Sequence, residues 1–310
     1  AAYCTRASDQ GPHAGQFDNG SLMAEILDLR QELARLLGFA NYAELSLASK
    51  MAESSEQVLQ FLRDLALRSK PFAARDLQAL QRFAAAQGCS ELQSWDLGYY
   101  GEKLRQQRYS IAQEQVRAWF PIDKVLSGLF DIVQKLYGIQ IKELSGFDTW
   151  HADVRLFEIT ENGQPLGRFF FDLYARANKR GGAWMDGARD QRRNACGQLI
   201  SPVANLVCNF TPAVNGQPAL LTHDEVTTLF HEFGHGLHHL LTEVEHAGAS
   251  GINGVAWDAV ELPSQFMENW CWEPEGLALI SAHFETGEPL PRDMLDKLLA
   301  AKNFQSGLGM

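Results

Sequence analysis

The sequence has 310 residues, of which 45% are apolar and 21% charged; that is enough for two ordinary domains with hydrophobic cores, and it excludes a disordered, collagen-like or disulfide-framework chain. Lys and Arg number 27 against 38 Asp and Glu, a net charge of −11, and such a surface repels phosphate backbones and anionic lipid, so neither nucleic acid nor membrane is expected as a partner. No run approaches the ~18 apolar residues of a membrane helix, and no signal peptide is visible.

Residues 1–150 read as helices. In S-L-M-A-E-I-L-D-L-R-Q-E-L-A-R-L-L-G, residues 21–38, Leu22, Ile26, Leu29, Leu33, Leu36 and Leu37 recur at helical spacing, with Ser21 as N-cap and Gly38 as the stop. A second helical region spans 55–88, where Pro71 predicts a kink or break. A third runs from Ile122 to Tyr137 and stops at Gly138. The leucine stripes are expected to face the core. Near Asp153 the texture changes. V-R-L-F-E-I-T and R-F-F-F-D-L-Y predict two strands around Asn162-Gly163, joined by a loop longer than two residues whose turn type stays open. Ala204 to Thr211 predicts an edge strand able to align an extended peptide. The segment K-R-G-G-A-W-M-D-G-A-R-D-Q-R-R-N before it carries no phosphate-loop pattern. Residues 223–310 are again mainly helical. The expected fold is mainly α with a small β-sheet: a helical region 1–150, then a region 151–310. Five scattered cysteines, Cys4, Cys89, Cys196, Cys208 and Cys271, form no C-x-x-C pair and predict buried thiols in a reducing, cytoplasmic setting. There is no initiator Met, and A-K-N-F-Q-S-G-L-G-M reads as an interrupted helix, so the expectation is a piece of a longer protein.

Residues 222–242, T-H-D-E-V-T-T-L-F-H-E-F-G-H-G-L-H-H-L-L-T, hold the chemistry. Thr222 and Glu225 form a capping-box pattern. Val226, Leu229, Phe230, Phe233, Leu237, Leu240 and Leu241 then share one broad face. His231 and His235 fall on the opposite face, about 40° apart, where two imidazoles can share one metal ion. Glu232 sits beside them, completing an H-E-x-x-H pattern: two zinc ligands and a carboxylate able to take a proton from water. The pattern is short enough to arise by chance, and Asp224, Thr228, His239 and Thr242 would also suit a solvated polar face. Gly234 and Gly236 argue otherwise. Each costs about 1 kcal/mol within a helix, which points to something approaching closely there.

A third ligand is needed. The metzincin pattern would require Gly at 238 and His at 241, where His238 and Leu241 stand. His238 and His239 lie roughly 10–12 Å along the helix from His231, too far to complete one site. The candidates are Glu243, Glu245, Glu261, Glu268 and Glu273. Glu261 is favoured, because W-D-A-V-E-L-P-S-Q-F-M-E-N-W-C-W-E starts a second helix after the loop G-A-S-G-I-N-G. Its competing role is a capping box with Asp258. Asp258 and Glu268 project near it, and either could orient a ligating histidine. The loop from Gly248 to Gly254 has the backbone freedom to move over a substrate.

H-E-F-G-H-G-L-H-H at 231–239, S-G-I-N-G-V-A-W-D-A-V-E-L-P-S-Q-F-M-E-N-W at 250–270 and K-R-G-G-A-W-M-D at 179–186 resemble the thimet oligopeptidase family of zinc metallopeptidases, and the resemblance extends over essentially the whole chain. It implies a zincin-like (gluzincin) catalytic region with one Zn2+ on His231, His235 and Glu261, and Glu232 as general base. It implies a cytoplasmic, monomeric zinc-dependent endopeptidase acting on short oligopeptides. Members of that family are longer on both sides. They carry helical walls around a narrow channel and a C-terminal His- and Tyr-bearing motif that holds the scissile carbonyl; no counterpart of that motif is seen here, which would impair the chain. The alternatives are a dipeptidyl carboxypeptidase of the same family and a zinc-stabilised module that binds peptides without cleaving them.

Overall fold

The computed structural model describes residues 6–109, 113–214 and 216–310. Among them the chain forms first the helices α1 (Gly20–Leu36), α2 (Tyr42–Leu47), α3 (Ser55–Ala86), α4 (Leu97–Tyr109), α5 (Gln113–Val116) and α6 (Ile122–Tyr137). Strands β1 (Gln140–Leu144), β2 (Arg155–Glu161), β3 (Gln164–Tyr174), β4 (Trp184–Arg189), β5 (Arg192–Arg193), β6 (Leu199–Ile200) and β7 (Val203–Phe210) follow. The chain then returns to helix: α7 (His223–Leu240), α8 (Leu262–Glu268), α9 (Pro274–Ile280), α10 (Arg292–Ala301) and α11 (Ser306–Gly309). A mainly helical chain with a small mixed sheet is thus observed. It divides into two compact units, one of Ala1–Ser110 with Ala300–Met310, the other of Ile111–Leu299.

In the first unit, α1 ends where Gly38 takes a left-handed φ of +86°, as a glycine stop should. Its start differs from expectation: Asn19, not Ser21, occupies the cap position. α3 is one unbroken helix of 32 residues through Pro71. A proline forfeits one backbone bond and clashes with the preceding turn, but here a Ser54 cap and the buried Leu80 and Ala84 hold the helix on either side. The leucine stripe of α1 is not a core face. Leu22, Ile26, Leu29, Leu33, Leu36 and Leu37 are 44–81% exposed, and Ala34 alone among the residues of α1 is buried. Helical spacing reports amphipathicity; it does not say which surface covers the apolar side.

The second unit carries the sheet. α6 spans the expected residues and ends at Gly138, whose φ is +72°. β1, directly after it, corrects the wholly helical reading of 1–150; five residues with one half-turn of context give too little periodicity to find. β2 and β3 are joined by a two-residue turn, not a longer loop. Glu161 pairs with Gln164, and Asn162 and Gly163 both adopt positive φ, 50° and 77°, the type I′ signature. The first residues of β3, Q-P-L-G, hid the strand because Pro165 and Gly167 interrupt its alternation. The sheet order is β1-β2-β3-β7-β4. β7 therefore lies inside, parallel to β3 and antiparallel to β4, and the edge role expected of 204–211 falls to β4.

Phe157, Phe169 and Phe171 turn one face of the sheet into an aromatic layer. Phe130 of α6 and Phe233 of α7 pack into it with ring centroids 5.5–6.5 Å away. This layer fixes α7 against the sheet. The register of β3 against β7 shifts between Asp172 and Tyr174, and Lys179 seals the irregularity. Its buried ammonium donates to the carbonyls of Asp172, Tyr174 and Cys208 and to the Asp172 carboxylate, at 2.6–2.8 Å. Asp172 also accepts from Trp150 Nε1 and from two guanidinium nitrogens of Arg176. Burial opposes its ionisation, but these donors outweigh burial and hold the carboxyl well below the usual carboxylate range.

Cys208 and Cys271 are buried, and burial pushes both thiols up. Cys89 is half-buried and Cys196 exposed, which corrects the expectation for that residue; Cys4 lies outside the described residues. Among the described residues no helix is long and apolar enough to cross a membrane.

Candidate metal centre

α7 starts as its sequence dictates. Thr222 Oγ1 accepts from the Glu225 amide at 3.1 Å, and Glu225 Oε2 accepts from the Thr222 amide at 2.7 Å, so two orphan donors of the first turn are satisfied reciprocally. Val226, Leu229, Phe230, Phe233, Leu237 and Leu240 are all buried. The opposite side is mixed: Glu232, His235 and His239 are 0–9% exposed, whereas Asp224 is exposed and Thr228, His231 and Thr242 are half-buried. The polar face is therefore solvated at its ends and closed off around Glu232, His235 and His239.

Both glycines mark close approaches. A Cβ on Gly234 would lie 2.5 Å from the Pro263 carbonyl oxygen and 2.6 Å from Ser264 Cα, and one on Gly236 would lie 3.1 Å from Leu206 Cδ2. The bare backbone at Gly234 lets the start of α8 settle on α7. It carries Glu261 across the histidines. Glu261 Oε2 stands 3.1 Å from His235 Nε2 and 3.3 Å from His231 Nε2, and the three atoms lie within 4.8 Å of one another. The capping box with Asp258 does not form: α8 begins at Leu262, and Glu261 makes no side-chain cap bond. Its Oε2 instead accepts from Ser264 Oγ at 2.9 Å.

Among the described residues this is the one group of three His, Cys, Asp or Glu side chains able to share an ion. Two imidazole nitrogens and a carboxylate oxygen converging on one point suit a zinc-type divalent cation, with a coordination position left over. Burial pushes the His235 imidazole down against the pull of Glu261, which favours the neutral ring that a ligand needs. Glu232 is buried beside the group. Burial and the nearby Glu261 push its carboxyl up, opposed by His231 and by a hydrogen bond from the backbone of Met185.

The other candidates are placed elsewhere. Glu245 pairs with Arg193 at 2.7 Å, and Glu273 occupies the cap position of α9. Glu243 lines a separate cavity. Glu268 meets Nδ1 of His231 at 2.6 Å. His239 turns to β4, with Nε2 3.1 Å from the Arg189 carbonyl oxygen, and His238 lines a cavity with Leu237, Leu241 and Met267. Neither joins the group. Sequence reasoning missed Met185, since the strand that carries it, W-M-D-G-A-R, lacks alternation; its Gly187, against which His239 packs, is the one local sign. The loop with Gly248–Gly254 is tied down by Asn253, which donates to Asp190 and to the Ala247 carbonyl.

The pattern of peptidase family M3 matches residues 1–310. The chain belongs to peptidase family M3. Members of that family are metallopeptidases, in keeping with the donor set of the M3 chain. Over 309 residues it is 62% identical to oligopeptidase A of Escherichia coli (strain K12), covering 99% of this chain and 45% of that protein. It is 43% identical to the probable cytosolic oligopeptidase A of Arabidopsis thaliana, again over 99% of this chain and 44% of that protein. The dipeptidyl carboxypeptidase of E. coli is 34% identical over 94% of this chain and 43% of its own length. The M3 chain thus spans less than half the length of these curated relatives.

Proposed function

We propose that this chain carries the catalytic core of a zinc-dependent endopeptidase that hydrolyses short oligopeptides, with a zincin-like (gluzincin) arrangement in the unit Ile111–Leu299. The observation that carries the reading is the convergence of His231 Nε2, His235 Nε2 and Glu261 Oε2 next to a buried glutamate. Those three atoms would hold one Zn2+. Zinc so held supplies Lewis acidity towards a peptide carbonyl and makes water a usable nucleophile near neutral pH. Glu232 is the general base: its carboxylate takes the proton of the attacking water and returns it to the leaving amine. A carboxyl raised by burial is suited to both halves of that exchange. The hydrogen bond from Met185 keeps it aimed. β4, which carries Met185 and ends the sheet, offers the edge along which an extended peptide can pair.

The 62% identity to oligopeptidase A supports cleavage of oligopeptides; the likeness to a dipeptidyl carboxypeptidase supports the second reading. Peptides with amidated C-termini separate the two, because an endopeptidase cleaves them and an enzyme that needs a free carboxylate does not. We assign a cytoplasmic, monomeric state with peptides as the partners. The test is hydrolysis of a quenched oligopeptide by zinc-loaded chain and by Glu232→Gln. Turnover blocked by a chelator and lost in the variant, with zinc still bound, supports the mechanism; equal turnover in the variant removes Glu232 from it. Zinc binding without turnover in the unaltered chain would leave a peptide-binding module.

A further inference from the structure

On the reading proposed above, the atom of His231 that faces the metal is Nε2, which leaves the ring proton on Nδ1. That nitrogen lies 2.6 Å from Oε1 of Glu268. Glu268 ends α8, seven residues beyond Glu261. At about 100° per residue the two carboxylates leave nearly the same side of the element, roughly 10 Å apart along its axis. One short stretch of chain therefore meets His231 at both nitrogens, with Glu261 on Nε2 and Glu268 on Nδ1. The second histidine is held differently. Among the described residues, Nδ1 of His235 is buried without a hydrogen-bond partner, so that ring is met by a carboxylate only at Nε2.

We propose that Glu268 is a positioning residue of the metal centre, fixing His231 as the Nδ1–H tautomer, aiming its Nε2 into the site and making it the stronger of the two imidazole donors. The cause is electrostatic. A carboxylate accepting a charge-assisted bond from Nδ1–H stabilises the positive charge that the ring gains when Nε2 donates to a cation. Both side chains are about one-third exposed or less, so water competes with the bond only in part. The close approach of α8 at Gly234 delivers ligand and orienting group together, and loss of Glu268 acts on one of three ligands.

The test uses the full chain with Glu268→Ala and Glu268→Gln, and Glu261→Ala as reference. Zinc affinity is measured by competition with a chromophoric chelator. The His231 tautomer of the metal-free chain is read by long-range 1H–15N NMR, and the ligand field by visible absorption of the Co2+-loaded chain. Glu268→Ala weakens zinc about 10–100-fold, mixes the His231 tautomers and shifts the cobalt bands. Glu268→Gln, which keeps an acceptor without its charge, falls between and serves if the alanine variant fails to fold. Wild-type affinity with an unchanged tautomer in either folded variant overturns the proposal. If Glu261→Ala abolishes binding while the Glu268 variants match wild type, the role of Glu268 alone fails. If Glu261→Ala also binds normally, the three-ligand reading fails with it.

Discussion

Replacing Gly234 by alanine tests how α7 and α8 assemble the site. In an isolated helix the change is favourable by about 1 kcal/mol. Here the new Cβ would lie 2.5 Å from the Pro263 carbonyl oxygen and 2.6 Å from Ser264 Cα. Both neighbours are backbone atoms, so no side-chain rotation can make room. An ordinary contact begins near 3.4 Å, and the start of α8 must retreat by about 0.9 Å to reach it. Overpacking of this kind costs about 1–3 kcal/mol, and a clash with backbone belongs at the upper end, which leaves a net destabilisation of about 1–2 kcal/mol. The larger effect falls on the metal. Glu261 immediately precedes α8, and ligand distances tolerate shifts of only about 0.2 Å, so zinc affinity falls at least about tenfold. Urea denaturation of the metal-free chain and chelator competition read the two effects separately. Gly236→Ala is the control: its Cβ would meet a side-chain methyl of Leu206, not backbone, at 3.1 Å, and zinc affinity stays near wild type. A Gly234→Ala chain that is more stable than wild type and binds zinc equally well would refute the reasoning.

Two further predictions concern the sheet that carries α7. Lys179→Met strips three backbone carbonyls and the Asp172 carboxylate of a buried donor and destabilises the chain by about 3–5 kcal/mol, measured by urea denaturation; a loss below about 1 kcal/mol would show that the register shift does not need its seal. Asp172 predicts an acid dependence. Its folded carboxyl lies below the unfolded value of about 3.9, so its contribution is complete above about pH 5 and is lost as pH falls through the unfolded value towards the folded one. Asp172→Asn should flatten the fall in unfolding free energy between about pH 5 and 3, and an unchanged slope would locate the dependence in other carboxylates.

What the sequence made legible was local. α7 shows itself through a capping box, a 3.6-residue apolar period and an H-E-x-x-H pattern, all within one segment, and α6 through its apolar face and Gly138. The proposed third ligand is legible in a different way. Glu261 meets the histidines through a crossing of two elements, and the only local trace of that crossing was an unfavourable glycine inside a helix. β4 was invisible because Trp184–Arg189 does not alternate and gains its place by pairing with β7. The position of β7 inside the sheet could not be read for the same reason: strand order depends on which edges are covered. The stripe of α1 shows the converse limit. Its spacing is that of a core-facing helix, yet Leu36 is 81% exposed.

The central claim is that His231, His235 and Glu261 together hold one zinc ion. Elemental analysis of the zinc-loaded chain against protein concentration, with Glu261→Ala alongside and folding checked by circular dichroism, tests it most directly. The account predicts about one zinc per wild-type chain and little in the variant. A folded wild-type chain without zinc, or a variant that retains it in full, would contradict the claim.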